Sequence, residues 1–241
     1  MSSHQNVFCR KELKYMLDNV QYKRLLAGLE GYVIPDNFFV SNITNLYYDT
    51  ANHLLIRRSL EKPKYKEKLR LRCYDVPNDT SNSFIEIKKK VNGVVYKRRE
   101  SLPYQNALGY LAGMDPGGDS QIFHELDRFL QFYGDLHPAM FLAYNRHSYK
   151  GTRDESIRIT FDTNIMWRTE SLDLRSGVWG TALLPNAYRL MEIKIQGAMP
   201  LWLAQLLSEL RIYPTSVSKY GLAYRACMKR ELYKKEERNY A

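Results

Sequence analysis

Apolar and charged residues alternate one by one along much of the chain. That is the period of a β-strand, in which successive side chains point to opposite faces. In 66–74, Lys66, Lys68, Arg70 and Arg72 share a face opposite Leu69, Leu71 and Cys73. Residues 8–15 set Arg10, Glu12 and Lys14 against Lys11, Leu13 and Tyr15, and 84–90 set Glu86, Lys88 and Lys90 against Ile85, Ile87 and Lys89. The stretch 94–99 aligns Val95, Lys97 and Arg99; 157–162 sets Arg158, Thr160 and Asp162 opposite Ile157, Ile159 and Phe161. Tyr144, Arg146 and Ser148 fall together in 141–149, and in 188–195 Glu192 and Lys194 oppose Met191, Ile193 and Ile195. With 39–48 these stretches predict about eight strands, and Asn92-Gly93 is a hairpin turn signal between two of them.

Between the strands the period lengthens to that of a helix. Asp18 can cap a helix through 19–29, and Thr50-Ala51-Asn52 opens a short one to about Arg58. Residues 120–133 place Ile122, Leu126, Phe129, Leu130 and Tyr133 on one stripe, 200–211 start at Pro200, and a last helix is expected from about Val217 to Lys229. The linker 113–120 (GMDPGGDS) divides the chain into two β-rich halves of what reads as one domain over 1–241. The expected class is α+β.

Composition narrows the partners. The chain has 241 residues, with 36 Lys and Arg against 26 Asp and Glu, a formal net charge of +10. A hydrophobic share of 44% supports a folded core, and disorder is excluded. No leader is apparent at the N-terminus, and no segment approaches the ~18 apolar residues of a membrane span. Cys9, Cys73 and Cys227 have no metal-type spacing. A cytoplasmic protein without a zinc site is expected, and the charge asks for an anionic partner.

An open antiparallel sheet with one wet face accounts for any one of these strands. The polar face as a set is less ordinary. Arg and Lys recur two residues apart on five or six strands, and like charges facing one another across a sheet repel. The repulsion is tolerable if the sheet closes into a barrel filled by an anion, where charges are screened less than on an open surface. The expectation is therefore a closed antiparallel β-barrel, a tunnel with helices packed outside. Glu12, Glu86, Asp162 and Glu192 then read as metal ligands or as orienting partners of the basic groups.

The ordered set Arg10-x-Glu12-x-Lys14-Tyr15, Tyr47-Tyr48-Asp49-Thr50, Leu69-Arg70-Leu71-Arg72-x-Tyr74, Glu86-x-Lys88-x-Lys90, Lys97-x-Arg99, Tyr144-x-Arg146, Arg158-x-Thr160-x-Asp162, Glu192-x-Lys194 and Ser218-Lys219-Tyr220 resembles the triphosphate tunnel metalloenzymes. Within that CYTH-like superfamily it is most similar to the VTC-domain polyphosphate polymerases. Hydrolase and cyclase-like members begin Glu-x-Glu-x-Lys; Arg10 stands here at the first glutamate, which favours the polymerase branch. The resemblance implies Lys14, Arg70, Arg72, Lys88, Arg158 and Lys219 as catalytic residues. Arg10, Arg58, Lys90, Lys97, Arg99, Arg146 and Lys194 are the expected further phosphate or nucleotide contacts, Arg58 being preferred over its neighbour Arg57. Glu192 is the expected ligand of Mn²⁺ or Mg²⁺, with Glu12 and Glu86 as further candidates.

The activity so implied is transfer of the terminal phosphate of ATP to a growing polyphosphate or to pyrophosphate, with positioning and charge neutralisation supplying most of the catalysis. The five histidines show no paired spacing, in keeping with chemistry that needs no histidine base. Two alternatives stand beside it: a tunnel-fold inorganic triphosphatase or nucleoside triphosphatase, and a non-catalytic polyphosphate- or nucleic-acid-binding module. Nucleic acid is not the expected partner, because Tyr47, Tyr48 and Tyr74 sit beside apolar positions and read as half-buried strand residues.

Overall fold

The structure, a computed structural model, describes residues 10–239 except 62, 93, 116 and 117, and their side chains except at 10 and 233–239. Arg10–Asp18 (β1) ends in a helix start built by its own last residue. The Asp18 carboxylate accepts from the Gln21 amide at 2.8 Å, the Gln21 side chain accepts from the Asp18 amide at 3.3 Å, and helix α1 (Asn19–Leu29) follows. Val33–Asp49 (β2) is the longest strand, with an irregularity between Pro35 and Val40. Thr50 then accepts from the Leu54 amide at 2.9 Å, and α2 runs Leu54–Leu60, later than the pattern places it.

Tyr65–Tyr74 (β3), Asn82–Val91 (β4) and Val94–Pro103 (β5) form a meander. Val91 pairs with Val94, so a tight hairpin lies where the turn signal falls; Asn92 takes the left-handed conformation at φ 47°, and Gly93 lies outside the described residues. Helix α3 (Tyr104–Leu111) has no counterpart among the helices expected from the pattern, although Tyr104, Ala107 and Tyr110 repeat every third residue and are all buried. The linker 113–120 is described in part, its Pro116 and Gly117 lying outside. Ser120 caps α4 (Gln121–Tyr133) through the Phe123 amide at 3.1 Å.

His137–Gly151 (β6), Arg158–Arg168 (β7), the short Thr181–Ala182 (β8) and Tyr188–Gln196 (β9) complete the strands; α5 is Leu201–Glu209 and α6 is Lys219–Asn239. The sheet is antiparallel throughout, in the order β1-β9-β7-β6-β2-β3-β4-β5, with β8 on β7. Among the described residues it has nine strands, and it is not the closed barrel expected from the charge pattern. Among the described residues no backbone ladder joins β1 to β5.

The sheet nevertheless curls until its margins meet. In a flat sheet β1 and β4 would stand six strand spacings apart, about 29 Å. Here the Lys88 ammonium of β4 lies 3.1 Å from the Glu12 carboxylate of β1.

The main apolar packing lies on the convex side. Leu69, Leu71, Ile85 and Ile87 are covered by α3 and α4 through Tyr104, Phe123 and Phe129. Ile159, Phe161, Met191 and Ile193 are covered by α1 and α5 through Leu25, Leu29, Leu203 and Leu207. Helices α1 and α5 approach closely at Gly28, where an added Cβ would stand 2.5 Å from the Leu206 side chain. A third cluster fills part of the concave side, where Tyr47, Met140 and Leu190 meet Tyr220 and Ala223 of α6. Burial of the odd-numbered faces of β3, β4, β7 and β9 on the convex side therefore leaves their even-numbered, charged faces turned inward. No described helix is long and apolar enough to cross a membrane.

Candidate functional site

Among the described residues Glu12, Glu86, Asp162 and Glu192 stand on the inward face, and the first three are paired with cations from other strands or from α6. Glu86 is 1% exposed. It accepts from Arg70 Nε at 2.7 Å, has Arg72 Nε at 3.9 Å, and is paired with Lys97 from β5. Burial alone would raise its pKa, but Arg70, then Arg72 and Lys97, hold it far below the usual carboxylate range. Asp162 is fully buried and takes both guanidinium donors of Arg146, at 2.7 and 2.8 Å, with the Lys219 ammonium at 2.5 Å. These bonds also outweigh burial and keep the group ionised. They are the fork geometry that arginine supplies to a carboxylate or a phosphate.

The other two carboxylates lie diagonally across β1 and β9, Glu12 opposite Lys194 and Glu192 opposite Lys14. Glu12 pairs with Lys14 at 3.2 Å and with Lys88 at 3.1 Å; Glu192 pairs with Lys194 at 3.1 Å. Burial and mutual repulsion push the pKa of Glu12 up, and Lys88, Lys14 and Lys194 more than offset them. Glu192 is lowered further, against its own burial, by Lys194, Lys14, Arg146 and Lys219. The Lys14 ammonium is reciprocally strengthened, Glu192 and Glu12 outweighing its desolvation.

The guanidinium groups are positioned by neutral residues that the charge pattern does not single out. Arg70 donates to the Tyr47 hydroxyl at 3.2 Å, and Arg72 donates to Asn45 Oδ1 at 2.9 Å and to the Tyr144 hydroxyl at 3.1 Å. Asn45 and Tyr47 alternate with Leu46 and Tyr48, so the same period of two carries them inward. Tyr144, hemmed by Arg72, Arg146 and Lys219, is lowered to about 8 in spite of burial. Of the tyrosines expected to be half-buried, Tyr47 and Tyr48 are buried and Tyr74 is exposed.

Lys14, Arg70, Arg72, Lys88, Lys97, Arg146, Lys194 and Lys219 are thus brought together. Arg99 is on the same face, over the Phe84 ring at 4.8 Å. Lys90 stands opposite Val95 and Lys66, one pair beyond Lys88. Arg158 is at the margin, 44% exposed and paired with Asp36 from the irregular stretch of β2. Arg57 and Arg58 are both exposed on α2; Arg57 donates to the Asn52 carbonyl, and Arg58 lies near Tyr133 of the outer layer, outside this cluster. Arg10 begins β1, and its side chain lies outside the described residues. Lys68, whose amine bonds to Ser218, lines the same face without having been singled out.

Among the described residues no group of three or more His, Cys, Asp and Glu side chains could hold a metal ion. Mg²⁺ and Mn²⁺ need fewer protein ligands when phosphate oxygens complete the shell. Glu192 and Glu12, both held ionised and close enough to repel, suit that role. Glu86 is surrounded by arginine and lysine, and Asp162 is saturated by Arg146 and Lys219, so both serve as orienting anions.

The fold is a curled antiparallel sheet with a cation-lined concave face and helices outside. The sequence model of the VTC domain matches residues 9–228. The chain belongs to the VTC domain family. Among solved structures, a candidate adenylate cyclase from Bacillus halodurans is similar with a TM-score of 0.53 at 15% identity, over 88% of this chain and 94% of that one. A candidate adenylyl cyclase from Hippeastrum with a dominant triphosphatase activity gives 0.54 at 16% identity, over 89% and 95%. At such identities the likeness is one of fold. A search of the curated proteins finds no match.

Proposed function

We propose that this chain is a metal-dependent polyphosphate polymerase that transfers the terminal phosphoryl group of ATP to the end of a polyphosphate chain held on the concave face. The observation that carries this reading is the convergence of cations from six strands and α6 on carboxylates that they already keep ionised. Such a surface is preorganised for charge that develops between phosphoryl groups, and it needs no reorganisation as that charge appears. Membership of the VTC domain family and Arg10 at the first position of the strand motif support transfer over hydrolysis.

Arg70, Arg72 and Arg146 bind nonbridging oxygens with forked donors, while Lys14, Lys88 and Lys219 act as point charges that balance the negative charge of the leaving ADP. The bond between the terminal phosphorus and its bridging oxygen breaks, and a terminal oxygen of the acceptor chain bonds to that phosphorus. The acceptor oxygen is ionised at neutral pH, so no base is required. Glu192, with Glu12 beside it, would hold Mn²⁺ or Mg²⁺, which supplies charge neutralisation at the phosphate oxygens. Tyr47 and Tyr144 are buried against arginines and offer no open ring for a base to stack on, which favours a chain of phosphates over nucleic acid.

The test is a single reaction of protein, ATP and Mn²⁺, read by polyphosphate staining on a gel and by ADP release. Long acid-insoluble polymer with matching ADP is expected. Free phosphate as the sole product would overturn the assignment in favour of a triphosphatase.

A further inference from the structure

We propose that Lys68 is an additional phosphate-binding residue of this tunnel, donating from its ammonium to a ligand oxygen, and that its protonation is coupled to ligand binding. The inference rests on the reading of the concave face as a polyphosphate site. Lys68 is the second residue of the inward face of β3, after Lys66, and stands directly opposite Lys88 in the register of β3 and β4. The charges that act on it most strongly are Lys14 from β1, Lys88 from β4 and Lys66 and Arg70 from its own strand, all basic. From α6 it meets the Ser218 hydroxyl at 2.9 Å and the face of the Tyr220 ring at 5.8 Å.

The Ser218 oxygen also accepts from the Gly221 amide at 3.2 Å, so Lys68 is pressed against the start of α6, the positive end of the helix dipole. The carboxylates nearest in the network, Glu12 and Glu86, are occupied by Lys14 and Lys88 and by Arg70 and Lys97. Among the described residues Lys68 has no carboxylate within ion-pair distance.

A cation so placed has neutral partners in Ser218 and Tyr220 but no counter-charge, and an anion that enters the tunnel supplies it. Burial first, then repulsion by Lys14, Lys88, Lys66 and Arg70, brings the amine down to about 7. A polyphosphate oxygen beside it reverses the repulsion, and the amine takes up one proton from solvent as the ligand binds. By linkage, the affinity that Lys68 contributes is largest below neutrality and declines as pH rises.

Tripolyphosphate binding to the full chain, measured by titration calorimetry at pH 6.5, 7.5 and 8.5, tests this with wild type, Lys68→Arg and Lys68→Met. Ionisation of the ligand is common to all three and cancels in affinity ratios. Wild type should bind about tenfold more tightly than Lys68→Met at pH 6.5, the worth of one charged hydrogen bond. That ratio should shrink several-fold by pH 8.5, whereas the ratio of Lys68→Arg to Lys68→Met should stay constant. Because Lys68→Met removes a repelled charge, it should melt no lower than wild type at pH 6.5, so weaker binding cannot be laid to unfolding.

Equal affinity of Lys68→Met and wild type at every pH would refute the contact. A ratio that does not change with pH would refute the coupling. Failure of wild type itself to bind tripolyphosphate would instead refute the polyphosphate reading.

Discussion

The hydroxyl of Tyr220 donates to the Asp49 carboxylate at 2.9 Å, so one bond fixes the last helix to the end of the second strand. Asp49 is fully buried, and its other partners are the backbone amides of Thr50, Leu55 and Ile56 at 2.9, 2.8 and 3.0 Å. Tyr220→Phe removes a donor from a buried acceptor and should cost about 1–3 kcal/mol in urea denaturation. Because the bond also seats Lys219 next to Asp162, phosphoryl transfer should fall with it. A variant as stable as wild type would show that α6 is held by its packing alone.

Glu86→Gln should be the more damaging change. It replaces the anion shared by Arg70, Arg72 and Lys97 with a neutral amide of the same shape, leaving cations uncompensated in a buried site. Removing one member of a buried ion pair costs roughly 3–5 kcal/mol. Tripolyphosphate should restore part of the lost melting temperature, since a bound anion supplies the missing charge. An unchanged melting curve would contradict the role given to Glu86.

Glu192→Ala should abolish Mn²⁺-dependent transfer, by a factor on the order of 10²–10³, while leaving tripolyphosphate binding without metal nearly intact. Arg70→Ala should do the reverse in kind, weakening tripolyphosphate binding whether or not metal is present. Rates measured against Mn²⁺ concentration separate the two. If both variants respond to the metal as wild type does, Glu192 is not a ligand.

Stability should rise with pH in two separate windows, one acidic and one near and above neutrality. Glu86, Asp162 and Glu192 have folded pKa values below their unfolded ones, so their contribution is present above about pH 4 and is lost as pH falls through the lowered values. Lys68 and Lys97 are lowered chiefly by burial, to about 7 and about 8. Between these values and about 10, the unfolded chain holds protons that the folded chain has released, and stability should rise with pH. Urea midpoints from pH 3 to 9 at constant ionic strength read both limbs. A midpoint that falls steadily from pH 7 to 9 would sink the second.

The faces of the strands were legible because a half-buried strand repeats every two residues, and one slip of register would turn Leu69 and Leu71 into the charged side. That logic carries Arg70, Arg72, Glu86, Lys88, Arg146 and Glu192 to one surface without any knowledge of how the strands pair. Closure was not legible in the same way. Whether β1 and β5 share a ladder depends on accumulated twist and on the spacing of the two margins, which no local pattern records. The position of Arg58, exposed on α2, was not legible for a related reason. A short helix follows a loop there, and a shift of the helix start from Thr50 to Leu54 rotates every side chain around its axis. Neutral groups such as Asn45, Tyr47, Tyr144 and Ser218 carry no charge signal, and their role becomes visible only from the arginine or lysine that they orient.

The seam where Lys88 reaches Glu12 has a consequence for the bore of the channel. In a barrel sealed by hydrogen bonds, strand number and stagger fix the radius together, and neither changes without rewriting a register. Here seven pairings are fixed by backbone ladders and the last gap is spanned by side chains. The contact between a lysine and a glutamate that bridges the two ends of the sheet is therefore one that a single substitution can alter while every strand keeps its partner.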